Sequence, residues 1–296
     1  AGKSYSYLRL MAENPDDRFL IATPTNLLKD EIYNKAKRMV IAVCKTPSLE
    51  QIKDEMPEKV KRRIERFHKS GQHQLVHPYI EKVLKTKNIP CLRKYMKERE
   101  ALRNFKGNVI TTHRYLLNMD EKRLKEFDAI IIDEDIIFKS IIPNQGEVPV
   151  AKLEKLLEKT TDNHLSQKIK SLLRKAKDQS RIELDSFEWD DKDDKLYSFD
   201  LPSFCQAEQF YVRRSDKELN LKEDAIVYLK LPEFFKDIKY IMVSATVDEG
   251  ICRQYFGWDR VDFYECKRAE YMGPLRQYPG KSMSRSSIAS DSGIVR

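Results

Sequence analysis

A chain of 296 residues, 41% of them hydrophobic, can bury at least one sizeable core, which excludes a wholly disordered protein. Its 55 Lys and Arg against 47 Asp and Glu leave a net charge of +8, a modest excess that suits nucleic acid or a soluble basic protein. No run reaches the ~18 apolar residues of a membrane span, no charged-then-apolar signal opens the chain, and five cysteines without a close pair fit a reducing compartment, so the expected setting is cytoplasmic.

The chain begins with Gly2-Lys3-Ser4, followed by Tyr5, Tyr7, Leu8 and Met11 at helical spacing. This reads as the end of a phosphate-binding loop running into an amphipathic helix, with the loop's other glycines and its strand expected ahead of Ala1. Residues 18–23 (RFLIAT) predict a strand that Pro24 stops, and Thr25 or Asn26 caps the next helix, whose apolar face is Leu27, Leu28, Ile32 and Ala36. Residues 39–43 predict another strand, so helix and strand alternate as in a parallel α/β sheet.

From Ser48 to Phe105 the pattern is helical and basic, with Val60, Ile64 and Phe67 on one face. Residues 1–140 hold 29 basic and 20 acidic side chains, so the basic excess lies in this half. His68, His73, His77 and Cys91 match no standard zinc spacing and read as packed or surface residues. Residues 108–112 (NVITT) form a further strand ending in Thr112-His113 before a short helix. Residues 129–137 (AIIIDEDII) are a strand buried on both faces whose end carries Asp133 and Glu134.

Residues 141–224 change in character. Two amphipathic helices separated by residues 160–163 (TTDN) predict a helical hairpin, and the acidic run 183–194 a solvated loop. We read 141–224 as a largely helical insertion, with the core in 1–140 and 225–260. The core resumes with strands at 225–229 and 240–243, a helix-like stretch over 232–238 between them, and Ser244-Ala245-Thr246 after the second. A strand candidate follows at 261–266, and 261–296 reads as a linker or the start of another domain.

The stretches GKS, TPT, TTH, DED and SAT each sit at a predicted strand end or helix start, where an open parallel sheet places its ligands. In that order they resemble the first RecA-like domain of superfamily 2 helicases, of the DEAD/DEAH-like kind, over residues 1–246 without the insertion. The resemblance implies a P-loop ATPase with ATP and Mg²⁺ as cofactors. Gly2, Lys3 and Ser4 would bind nucleotide, Ser4 and Asp133 would hold Mg²⁺, and Lys3, Asp133 and Glu134 would be catalytic, with Glu134 polarising the attacking water. Ser244, Ala245 and Thr246 would couple nucleotide state to strand binding. Thr23, Pro24, Thr25, Thr112 and His113 would contact the nucleic-acid backbone, single-stranded DNA ahead of RNA. A second RecA-like domain would supply an arginine worth about 10³–10⁵ in rate, leaving this domain alone weak or inactive.

The family usually follows Asp-Glu with Ala and then His or Asp, and this chain has Asp135 and Ile136 there. The TTH stretch followed by Leu116-Leu117, together with the insertion, is similar to the iron–sulfur branch, but the cysteine quartet of that branch is missing. Two other readings share some of the motifs: a terminase-type DNA-packaging ATPase, and a nucleic-acid-binding module without catalysis.

Overall fold

The computed structural model describes residues 3–189, 197–216, 218 and 221–266, which leaves Gly2, the acidic residues 190–194 and the tail 267–296 outside the described residues. The chain divides into two compact units, 1–248 and 249–296. Among the described residues no helix is long and apolar enough to cross a membrane.

The first unit opens with α1 (Lys3–Glu13), β1 (Phe19–Thr23), α2 (Asn26–Arg38) and β2 (Val43–Lys45). All five residues of β1 are buried, and the Thr25 side chain accepts from Leu28 N as the cap of α2. The strand expected at 39–43 starts later. Val40 takes a left-handed turn (φ 60°) and is almost fully exposed, while Ile41 N donates to Ala36 O, so the apolar run first closes the helix.

Three helices follow: α3 (Glu58–Lys69), α4 (Val76–Thr86) and α5 (Pro90–Asn104). The Val60, Ile64 and Phe67 face of α3 packs with Val76, Ile80, Leu92 and Tyr95 into a core of their own. The chain returns through β3 (Asn108–Thr112), the short helices α6 (His113–Leu116) and α7 (Glu121–Leu124), and β4 (Ala129–Asp133).

The next segment is β5 (Gly146–Pro149), α8 (Val150–Lys159), α9 (Asn163–Lys175), β6 (Arg181–Glu183), α10 (Leu201–Gln206), β7 (Gln209–Arg213) and β8 (Ala225–Leu229). The predicted hairpin is α8 and α9, with Asp162 capping the second helix through Leu165 N. The insertion is nevertheless mixed rather than largely helical. Its strands form an antiparallel sheet in the order β5-β8-β7-β6. Residues 225–229, expected to resume the core, pair with β5 and β7 instead, because Ile226 and Tyr228 bury against the hairpin helices. The parallel sheet resumes only at β9 (Tyr240–Val243), and the intervening 232–238 is irregular, not helical.

Phe204 anchors the insertion core: it is fully buried, with edge-on contacts to Phe199, Phe210 and Tyr228 at 5.7, 5.4 and 5.4 Å. Phe204→Ala is expected to cost about 3–5 kcal/mol of stability, read as a lowered urea midpoint.

The main sheet has the order β2-β3-β1-β4-β9, and every pair in it is parallel. This is the α/β architecture expected, with helices against the sheet. Ile21 is in register with Ile110 and Ile131, and this row packs against Tyr7, Leu8 and Met11 of α1 and Ile32 and Ala36 of α2. One residue earlier in each strand, Leu20, Val109 and Ile130 form the row on the opposite face. Arg18 ties the amino edge together, donating to the carbonyls of Phe105 and Gly107 and pairing with Glu126 at 2.9 Å.

The second unit contains α11 (Glu249–Phe256) and a turn at Trp258–Arg260, where Arg253 pairs with Glu249 and donates to Trp258 O. The strand expected at 261–266 does not form.

Candidate active site

In a parallel sheet all strands deliver their last residues to the same edge. Here that edge collects Thr23 of β1, Thr112 of β3, Asp133 of β4 and, just past β9, Ser244. Thr23 is in register with Thr112, and Asp133 with Val243. The first turn of α1 starts at the same edge. Lys3 Nζ lies 2.5 Å from Glu134 Oε1 and 4.0 Å from Asp133 Oδ1, so residues about 130 positions apart form one charged cluster.

Asp133 is 3% exposed. Its Oδ2 accepts from the Tyr7 hydroxyl at 3.1 Å, while its Oδ1 is buried without a hydrogen-bond partner. Burial pushes the Asp133 carboxyl above the usual range, against the Tyr7 hydroxyl and Lys3, which hold it down. The Tyr7 hydroxyl also bonds the Ser4 side chain, so Ser4 and Asp133 meet on one phenol. Burial raises the Tyr7 pKa, which keeps it a donor.

A hydroxyl and a carboxylate with an oxygen to spare form the sparse set that Mg²⁺ accepts when phosphates and waters complete its shell. Ser4 and Asp133 therefore fit the ion. Among the described residues no group of three or more His, Cys, Asp or Glu side chains could hold a metal by itself.

Glu134 has φ 75°, the left-handed region that a side chain other than Gly rarely occupies. Its N–H donates to Val243 O at 3.0 Å, which extends the β4–β9 ladder by one rung and holds the strained residue in place. The residue after Val243 begins the SAT stretch, where Ser244 Oγ accepts from Thr246 N at 3.1 Å and lies 3.3 Å from Thr246 Oγ1. Ala245 and Thr246 are exposed. The SAT turn is thus one residue from the carbonyl that fixes Glu134.

Asp135, the departure from the family wording, is 3% exposed. Its carboxylate accepts from Ile137 N and Phe138 N at the start of the π-helical turn Ile137–Ile141. Asp135 is thus committed to its own turn by these backbone bonds.

The residues predicted to touch nucleic acid divide into two groups. Thr25 and Thr112 are caps at the edge, accepting from Leu28 N and Tyr115 N, with Pro24 beside them. Thr23 and His113 are fully buried. The Thr23 hydroxyl lies 3.0 Å from Thr25 O and 3.1 Å from Thr111 O. His113 Nε2 sits 2.9 Å from Asp133 O and its Nδ1 2.9 Å from Ser140 Oγ. A carbonyl only accepts, so the imidazole donates from Nε2, and in the neutral ring Nδ1 is left to accept from the Ser140 hydroxyl. Burial lowers its pKa to about 4. His113 therefore braces the Asp133–Glu134 turn from behind. Sequence reasoning missed this role, and that of Tyr7, because both depend on contacts between distant residues.

No protein-family model matches the chain, and no curated protein does. Among solved structures, an XPD helicase is similar to it with a TM-score of 0.42 and 11% identity, over 86% of this chain and 55% of that one. The chain thus spans little more than half the length of that helicase. The five-stranded parallel sheet flanked by helices is an open α/β fold.

Proposed function

We propose that this chain binds Mg-ATP and hydrolyses it as one ATPase domain of a nucleic-acid helicase or translocase. The observation that carries the reading is Lys3 meeting Glu134 and the buried Asp133 at the carboxyl edge of the parallel sheet. Phosphoryl transfer asks mainly for positioning and charge stabilisation, and a lysine, a hydroxyl, a metal-binding carboxylate and a water-orienting carboxylate are the groups it uses.

In this reading Lys3 releases Glu134 and takes the terminal phosphates, with Gly2 as the loop backbone beside them. Ser4 and Asp133 hold Mg²⁺, which when bound neutralises charge on the phosphates. Glu134, freed from Lys3, accepts a proton from the attacking water. Ser244, Ala245 and Thr246 pass the state of that site along β9. Pro24, Thr25 and Thr112 offer the edge to a nucleic-acid backbone, single-stranded DNA ahead of RNA, with Thr23 and His113 as their support. A second RecA-like domain completes the motor.

Nucleotide binding and strand stimulation test the two halves of this reading separately. A fluorescent ATP analogue is expected to bind in the presence of Mg²⁺ and to be lost on chelation with EDTA or in Lys3→Ala. Steady-state hydrolysis is expected to rise when single-stranded DNA is added. Binding that ignores both EDTA and Lys3→Ala would refute the nucleotide site, and hydrolysis indifferent to DNA and RNA alike would refute the motor.

A further inference from the structure

A second cationic feature lies on the other face of the main sheet. Two adjoining cavities of about 370 and 490 Å³ share Arg99 and Arg103 of α5. The larger one is lined by four cations, Arg93, Lys97, Arg99 and Arg103, against two acids, Glu81 and Glu100. In the smaller one the registered pair Leu20 and Val109, with Leu102 and Phe127, supplies an apolar floor, and Tyr115 stands at the wall. Tyr115 is 41% exposed as a residue.

The charge balance of the smaller cavity is one-sided. Its acids are engaged: Glu126 pairs with Arg18 and Arg123, and Asp120 accepts from Arg123 N as the cap of α7. Arg99, Arg103, Lys106 and Lys122 line it with no hydrogen bond or ion pair among the described residues. Arg99 and Arg103 are four residues apart on α5 and so project from one helix face. Arg99 lies close enough to His77, Tyr95 and Tyr115 to influence the titration of each, which places its charge between α4, α5 and α6. Four unpaired cations around an apolar floor repel one another until an anion arrives. A partly exposed aromatic residue beside them suits an unpaired base, whereas the bases of a duplex are already stacked. Two cavities running into one another favour an extended ligand over a compact one.

We propose that the groove along α5 binds a stretch of single-stranded nucleic acid, its phosphates on Arg99, Arg103, Lys106 and Lys122 and a base stacked on Tyr115. The assignment rests on the nucleic-acid half of the proposed function and extends the strand contact along α5 from the Thr112 cap, whose hydroxyl accepts from Tyr115 N. Contacts of this kind are independent of base sequence.

The test is fluorescence anisotropy of a labelled oligothymidylate across a salt series, with Arg99→Glu/Arg103→Glu and Tyr115→Ala, and with Lys152→Glu/Lys155→Glu on α8 as a control of equal charge change. Circular dichroism establishes that each variant is folded. The arginine pair variant is expected to bind about tenfold or more weakly and to flatten the slope of log affinity against log salt by about 1.4, two contacts at ~0.7 each. Tyr115→Ala is expected to lose about 5- to 150-fold, the worth of one stacked base. The α8 control should bind like the parent. An arginine pair variant with unchanged affinity and slope overturns the groove while leaving the motor reading intact, and an equal loss in the α8 control does the same. Thymidine monophosphate binding as tightly as the oligomer would make this a small-phosphate site and overturn the strand. A parent protein that binds no oligomer refutes the nucleic-acid reading itself.

Discussion

Glu134→Gln is expected to lower ATP turnover by about 10²–10⁴-fold, the usual worth of a positioned general base, while Mg-ATP binding is kept or strengthened. The substitution preserves the size of the side chain and removes its ability to take a proton. The backbone has the same reason to stay in place, since the φ of 75° is held by the bond from the Glu134 N–H to Val243 O, which no side chain supplies. Binding is retained because the acid is not a phosphate ligand. It can improve because Lys3, which in this structure rests 2.5 Å from the Glu134 carboxylate, no longer has an anion to leave before it meets the phosphates. Both groups are about one-third exposed, so the pair itself contributes little stability, and folding should be nearly unaffected.

Asp133→Asn separates the two acids. Its deficit is expected in Mg²⁺-dependent binding as well as in turnover, because the oxygen left without a hydrogen-bond partner belongs to Asp133. Phosphate release under steady state, read beside binding of a fluorescent ATP analogue, resolves these outcomes. A Glu134→Gln protein that turns over at the parental rate would remove Glu134 from the chemistry and leave its strained conformation unexplained.

The site was legible in the sequence wherever it depended on a strand ending. Ile130, Ile131 and Ile132 announce a strand buried on both faces, and a parallel sheet then delivers Asp133 to the edge that also receives Thr23 and Thr112. Local caps were equally readable: Thr25 and Asp162 stand where a polar side chain precedes an apolar helical period. What escaped was set by tertiary pairing. The strands 146–149 and 181–183 are too short for an alternation to register, so the sequence carries no sign of the insertion's sheet, and 225–229 reads as a core strand although it pairs with β5. Met39 to Val43 carries strand-forming residues, yet the helix end used two of them. His113 looked like a surface contact because a histidine after two threonines has no local sign of burial. Its partners, the Asp133 carbonyl and Ser140, are 20 and 27 residues away.

That buried histidine makes the stability of the fold sensitive to acid. His113 titrates at about 4 in the folded chain against an ordinary 6.5, because burial disfavours the imidazolium. Above pH 6.5 it is neutral whether the chain is folded or not, and its contribution is complete. Between pH 6.5 and 4 the unfolded chain takes up a proton that the folded chain refuses, so stability falls by about 1.4 kcal/mol per pH unit. Below pH 4 both states are protonated and the loss levels off near 3 kcal/mol, as an order of magnitude. His68 and His77 are also lowered to about 4 by burial and add to the slope, so the parent protein alone cannot isolate His113.

Comparison with His113→Gln can. At pH 7 the variant is expected to be about 1–3 kcal/mol less stable, since the Asp133 carbonyl or Ser140 loses a well-placed buried partner. The raised carboxyl of Asp133 and the other histidines are common to both proteins and cancel in the difference. The gap should therefore narrow as the pH is lowered and close near pH 4, where the parent has lost what its neutral imidazole contributed. Urea denaturation at pH 7, 5.5 and 4 measures it. A gap that stays constant over that range would mean that folded His113 is not held neutral. The bond that braces the Asp133–Glu134 turn would then be made by an imidazolium.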